Sequence, residues 1–154
     1  EEGYCNYFSA RTYAGDWLKY KNHSISKNII FNDLFIDWEK PIVLVEGAFD
    51  SINIENSIPL LGSTLNKKSK LFSKIIANSS CIYLALDHDA LKKSFFIIKN
   101  LLEYGLDVYS IDTSQIEDIG SISKKKAKKL KENATLMTFE SCLSMRCEIK
   151  TLET

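Results

Sequence analysis

Long apolar runs are missing from this sequence. The longest, such as residues 81–86 and 95–98, fall far short of the roughly 20 apolar residues that a membrane-spanning helix requires, so no membrane partner is expected. No basic segment followed by an apolar run opens the chain, so an export signal is not expected. The first residue is Glu1 rather than Met, which suggests a processed chain or a piece of a longer one. The cysteines, Cys5, Cys81, Cys142 and Cys147, form no CxxC pair, so a zinc site is not expected. Without an export signal they read as free thiols of a reducing compartment. Arginine is scarce: of 20 basic residues only Arg11 and Arg146 are arginine, a bias that fits an A/T-rich genome better than a function. Net charge is zero, which argues against nucleic-acid binding through overall charge alone.

What is present is an ordinary globular composition, 45% hydrophobic and 26% charged in 154 residues, enough for one domain with a real core. Residues 1–40 are aromatic and polar with weak periodicity and read as an N-terminal appendage. Ile42-Val43-Leu44-Val45 is a continuous aliphatic run, the pattern of a strand covered on both faces of a parallel sheet. A short helix is expected over residues 48–56 and a short strand over 58–62, with Pro59 favouring an edge position. The next helix is expected to be capped by Ser63 or Thr64 and to run to about Ala77, with Leu71, Phe72, Ile75 and Ile76 on one face. A strand over residues 81–86, a helix over 90–104 stopped by Gly105, a strand over 107–111 and a lysine-rich helix over 123–133 follow. Residues 134–154 carry no clear pattern. Alternating strands and helices predict an α/β fold with a mainly parallel sheet flanked by helices, and a ligand site at the strand C-terminal ends.

Two acidic groups fall at such ends. Glu46-Gly47-Ala48-Phe49-Asp50 follows the first strand and Asp87-His88-Asp89 the third. If the strands are parallel in one sheet, these carboxylates share an edge, an arrangement of hard oxygen ligands that suits magnesium. Asp87 and Asp89 point the same way if strand geometry persists, leaving His88 elsewhere. Gly47 permits a sharp turn or the close approach of a phosphate, and Asp50 would sit in the first turn of the following helix, where the dipole favours its charge. The plainer alternative is that Asp50 and Asp89 are helix N-caps, common after strands in α/β folds.

Val45-Glu46-Gly47-Ala48-Phe49-Asp50 resembles the TOPRIM signature, a glutamate-glycine pair followed by an aspartate, and Leu86-Asp87-His88-Asp89-Ala90 resembles its Asp-x-Asp motif. Leu60-Leu61-Gly62-Ser63-Thr64-Leu65 is similar to the glycine turn of DnaG-like primases, and Asp118, after Glu117, falls where such primases carry a further acidic metal ligand. Upstream, Phe8-Ser9-Ala10-Arg11 and Lys19-Tyr20-Lys21-Asn22 resemble the segment that precedes the TOPRIM fold in bacterial and phage primases. The resemblance implies a TOPRIM, Rossmann-like domain over residues 41–133, preceded by the end of a polymerase subdomain over 1–40 and followed by residues 134–154. It implies Glu46 as general base, itself also near the metal, and Asp87, Asp89 and Asp118 as ligands of Mg2+ or Mn2+. The implied partners are a single-stranded DNA template, ribonucleoside triphosphates and a replicative helicase, in the cytoplasm of a bacterial or phage-infected cell. The zinc-binding module of such primases is absent from the sequence, so self-sufficient primer synthesis is not implied.

Two basic groups remain open between functions. Lys124, Lys125 and Lys128, with the neighbouring lysines, would contact phosphates or form a solvated helix face. Arg11, Lys19 and Lys21, with Tyr13, Trp17 and Tyr20, would form a single-strand platform or an aromatic mini-core. The first reading is a DnaG-like primase catalytic domain. A TOPRIM nuclease or topoisomerase-related cleaving protein is the second, and a non-catalytic nucleic-acid-binding module the third, which the intact acidic set disfavours because clustered carboxylates repel without a cation.

Overall fold

The computed structural model describes residues 7–13, 20–22, 26, 28–62, 64–78, 81–87, 89–116 and 118–153. Cys5, Trp17, Lys19, Ser63, His88 and Glu117, all named above, lie outside the described residues.

Strands β1 (Ser9–Arg11) and β2 (Tyr20–Asn22) pair antiparallel as a separate two-stranded sheet, the N-terminal appendage. Then come β3 (Ile42–Val45), β4 (Ser57–Pro59), α1 (Lys70–Asn78), β5 (Cys81–Ala85), α2 (Leu91–Leu102), β6 (Asp107–Ser110), α3 (Lys124–Glu132), β7 (Thr135–Leu136) and α4 (Phe139–Leu152). The main sheet has the order β4-β3-β5-β6-β7, with the first four strands parallel and β7 antiparallel at the edge. The fold is therefore the expected mainly parallel α/β sheet flanked by helices. Pro59 lies on edge strand β4, where its missing N–H interrupts no ladder.

Alternation along β3 divides the core in two. Ile42 and Leu44 face α1, α2 and α4, joining Ile58, Ile75, Ile82, Leu84, Ile98, Leu101 and Val108 in one closed cluster. Val43 and Val45 face the other way and pack with Ala85, Ile111 and Ile119 under α3. Both faces of β3 are buried, as its unbroken aliphatic run implies, but Cys81 and Tyr83 of β5 are only half-buried on the α3 side.

The structure corrects the sequence reading at the β3–β4 crossover. The helix expected over residues 48–56 is absent, and the segment runs as consecutive turns. Short polar side chains take the backbone partners that a helix would use: the Ser51 hydroxyl donates to the Ala48 carbonyl at 2.6 Å and the Ser57 hydroxyl to that of Ile54 at 2.7 Å. The Asn56 amide donates to the carbonyls of Asp37 and Pro41 and accepts from the Asp37 N–H, tying the crossover to the segment before β3. Crossovers between parallel strands usually contain a helix that covers the sheet. Here a cavity of about 540 Å³ remains between the crossover, the sheet and α3.

Smaller corrections follow. Helix α1 begins at Lys70, not near Thr64, because Ser69 supplies the cap, its Oγ accepting from the Phe72 N–H. Gly105, at φ 77°, ends the turn after α2 as expected. Ser123 caps α3 by accepting from the Lys126 N–H. Within residues 134–154, β7 joins the sheet and α4 packs on α2 with Cys142 buried, started by a capping box between Thr138 and Ser141. No helix among the described residues is long and apolar enough to cross a membrane.

Candidate active site

Strands β3 and β5 are parallel neighbours, and Val45 is paired with Ala85. The chain therefore leaves both strands at one edge, with Glu46 immediately after β3 and Asp87 two residues after β5. Asp118 arrives from the loop after β6, at the head of a 3-10 turn over Ile119–Ser121 whose Gly120 N–H donates to its carboxylate at 2.9 Å. Three strand ends thus supply Glu46, Asp50, Asp87, Asp89 and Asp118.

The loops are held by contacts that sequence spacing did not reveal. A side chain at Gly120 would lie 3.2 Å from Asp118 Oδ1, 3.2 Å from the Phe49 carbonyl oxygen and 3.4 Å from Asp50 Oδ1, so glycine is what lets the Asp118 loop close on the Asp50 turn. The Asn53 side-chain amide donates to the Gly120 carbonyl at 3.1 Å, clipping the same two loops. On the other side, the buried Thr113 hydroxyl donates to the Leu86 carbonyl at 2.8 Å, joining the loops after β5 and β6. The pattern Asp-x-Gly at 118–120 was the available signal for Gly120. Asn53 and Thr113 had none, since each acts across the fold.

Asp50 accepts from the Gly47 N–H at 2.7 Å, closing a tight turn. A Cβ at Gly47 would lie 3.2 Å from Asp50 Oδ2, a tight approach to the carboxylate that closes the turn. The expected placement of Asp50 in a first helical turn is overturned, since no helix follows it. Leu61 and Gly62 both adopt left-handed backbone, φ 54° and 73°, and the Gly62 N–H reaches back to the Glu46 carbonyl at 3.4 Å. The strand β5 ends at Ala85, so the alternation that would align Asp87 with Asp89 does not extend to them. Nor are Asp50 and Asp89 helix N-caps: the N-cap of α2 is Ala90, without a side-chain cap bond. The two acids are left without the structural role that would explain them as caps.

The carboxylates feel one another. Partial burial, then the negative charges of Glu46, Asp50, Asp89 and Asp118, push the Asp87 carboxyl above its ordinary range. Burial likewise raises Asp50; the Gly47 N–H opposes this, Asp118 and Glu46 add to it, and Arg11 offsets part. Arg11 on β1 thus stands close enough to the site to act on Asp50, and Lys21 on β2, the partner of Ala10, is exposed. Tyr13 is fully exposed rather than part of a mini-core. Lys93, which sequence reading did not single out, donates to Glu46 Oε1 at 2.9 Å.

The donor set is all carboxylate oxygen at an open edge, the chemistry that magnesium or manganese accepts while keeping several waters. Among the described residues no three acidic, histidine or cysteine side chains already converge on one point. Glu46, Asp87, Asp89 and Asp118 are the residues that would hold such an ion. The lysines of α3, Lys124, Lys125 and Lys128, are exposed and line the mouth of the 540 Å³ cavity rather than the acidic edge. Lys131 lies 4.7 Å from the Tyr83 ring.

No protein-family model matches this chain, and no curated protein is similar to it. Among solved structures, the crystal structure of the Aquifex aeolicus primase, comprising its zinc-binding and RNA polymerase domains, matches 85% of the chain with a TM-score of 0.60 and 23% sequence identity. The fold is primase-like. The chain spans 37% of that primase chain, well under half of its length. At this identity the likeness is one of fold, and within a primase-like fold the chemistry must be argued from side chains.

Proposed function

We propose that this chain is the TOPRIM-type catalytic region of a DNA primase, a nucleotidyltransferase that joins ribonucleotides into short RNA primers on single-stranded DNA with magnesium or manganese. One observation carries the reading: on a primase-like fold, carboxylates from three strand ends are gathered closely enough that mutual repulsion helps to raise two of them. Such a cluster costs stability unless a cation joins it.

Primer growth requires a 3′ hydroxyl to attack the α-phosphorus of a nucleoside triphosphate, forming a P–O bond and releasing pyrophosphate. Glu46 is assigned to take the hydroxyl proton, and Asp87, Asp89 and Asp118 to hold the metal. Bound divalent ions supply the positive charge that offsets charge developing on phosphoryl oxygens. Asp50 acts within the protein, fixing the Glu46-Gly47 turn through the Gly47 N–H. Arg11, Lys21 and the α3 lysines supply phosphate contacts for template and product, which would make binding fall with salt. The replicative helicase and the cytoplasmic setting are proposed on the resemblance alone.

The test is primer synthesis on single-stranded DNA with labelled ribonucleotides and Mg2+, comparing the chain with Glu46→Gln and Asp87→Asn. Short RNA products that fall by about 10²-fold or more in both variants support the reading. Magnesium-dependent cleavage of the DNA without synthesis would replace it with a nuclease, and products unaffected by either substitution would remove these residues from the site.

A further inference from the structure

Helix α2 opens with Leu91-Lys92-Lys93 and has no acidic residue in its first turn. The N-terminus of a helix carries partial positive charge, so two lysines there are electrostatically misplaced unless something else holds them. Lys92 is exposed and pairs with Glu153 Oε1 at 2.6 Å, at the end of α4. Lys93 turns the other way. Its side chain is only 16% exposed, and its Nζ rests 2.9 Å from Glu46 Oε1. The pair sits in a recess of about 470 Å³ lined by Glu46, Asp87, Asp89, Leu91, Ile149 and Leu152. Apolar side chains, Leu91, Ile149 and Leu152, wall one side of it, so the pair is partly withdrawn from solvent.

The consequence follows from counting charges at the edge. Glu46 acts on both the Asp50 and the Asp87 carboxylates, and among the described residues Lys93 is the cation in direct contact with it. We infer that Lys93 is a positioning residue that occupies Glu46 in place of a metal, so that its ammonium must leave Glu46 Oε1 when a divalent cation takes that carboxylate. The lysine keeps Glu46 folded toward the edge while the site is empty and sets how much divalent ion is needed to fill it. This rests on the metal-binding reading of the site proposed above, and adds to it the element that opposes filling.

The test is Mn2+ binding to the whole chain, with free Mn2+ counted by electron paramagnetic resonance, for the wild type, Lys93→Met, Lys93→Arg, Glu46→Gln and the Glu46→Gln/Lys93→Met double variant. Lys93→Met is expected to bind Mn2+ about five-fold more tightly, the order of a partly buried ion pair's worth, and Lys93→Arg to stay within about twofold of wild type. In the Glu46→Gln background the same Lys93→Met change is expected to do nothing. Thermal unfolding of each variant without metal checks that all are folded. If Lys93→Met binds Mn2+ equally or more weakly, the inference is wrong. It is also wrong if tightening persists without Glu46, because the lysine would then act through general charge. A wild-type chain that binds no Mn2+ at these carboxylates overturns the metal reading itself, and this inference with it.

Discussion

The two faces of the sheet are built to different standards. On one, α1, α2 and α4 close over an aliphatic layer in which Ile75, Ile82, Ile98, Leu101 and Val108 are essentially inaccessible to water. On the other, α3 alone covers the sheet, with a cavity beneath it and the stacked, half-exposed rings of Tyr83 and Tyr109, 4.9 Å apart, beside it. The difference comes from the connection between β3 and β4, too short and too rich in backbone-capturing Ser and Asn to form the helix that would complete the second layer. Stability should therefore reside on one face and adaptability on the other.

Truncating the core is the most direct way to break this comparison. Ile98→Ala on α2 is expected to cost about 3–4 kcal/mol, the transfer and cavity cost of a fully buried aliphatic side chain, whereas Leu130→Ala on α3 should cost less than about 1.5 kcal/mol because that side chain is already half-buried beside empty space. Urea unfolding measures both, and equal losses would show the two faces to be packed alike. Enlargement should reverse the order. Val108→Leu, on the closed face, is expected to lose about 1–3 kcal/mol by overpacking, while Ala127→Leu, whose side chain lines the cavity, should gain about 0.5–1 kcal/mol. A loss on enlarging Ala127 would mean that the cavity is not free to be filled.

The smallest effect belongs to the edge where the faces meet. The Asp87 carboxyl is raised in the folded chain, so the folded state holds its proton more tightly than the unfolded state does. Stability without metal must then fall as pH rises from the ordinary carboxylate range through the raised value, and the penalty is complete above it. Asp87→Asn should flatten that fall and raise the unfolding free energy at pH 7 by less than about 1 kcal/mol, since solvent screens so exposed a carboxylate. Thermal unfolding in chelator from pH 4 to pH 8 reads it, and a variant that unfolds earlier than wild type throughout would show that the charged Asp87 carboxylate is no cost to the fold.

These regions also differ in how much of them could be read from the amino acids. Strands β3 and β5 and helix α2 were legible because each writes its burial locally, as an aliphatic run or a 3.6-residue stripe. The helix expected over residues 48–56 failed because Asp50, Ser51 and Ser57 spend their side chains on nearby backbone, a competition that apolar spacing does not record. The structure in 134–154 was hidden for another reason: β7 is two residues long, and α4 leaves Phe139 and Leu143 exposed, which blurs its stripe. At the candidate site, the acids stood out by following strands. Lys93, Asn53 and Thr113 did not, because what matters about each is a partner far away in the chain, Glu46 in the case of Lys93.

The lysine-rich helix has a consequence beyond charge. Six of the nine residues of α3 are lysine, and this self-repelling helix is the cover over the looser face of the core. Any polyanion laid along it would relieve that repulsion and press the cover down, so its binding energy would appear as added protein stability. A nucleic acid laid along α3 would in this way act as a missing structural layer.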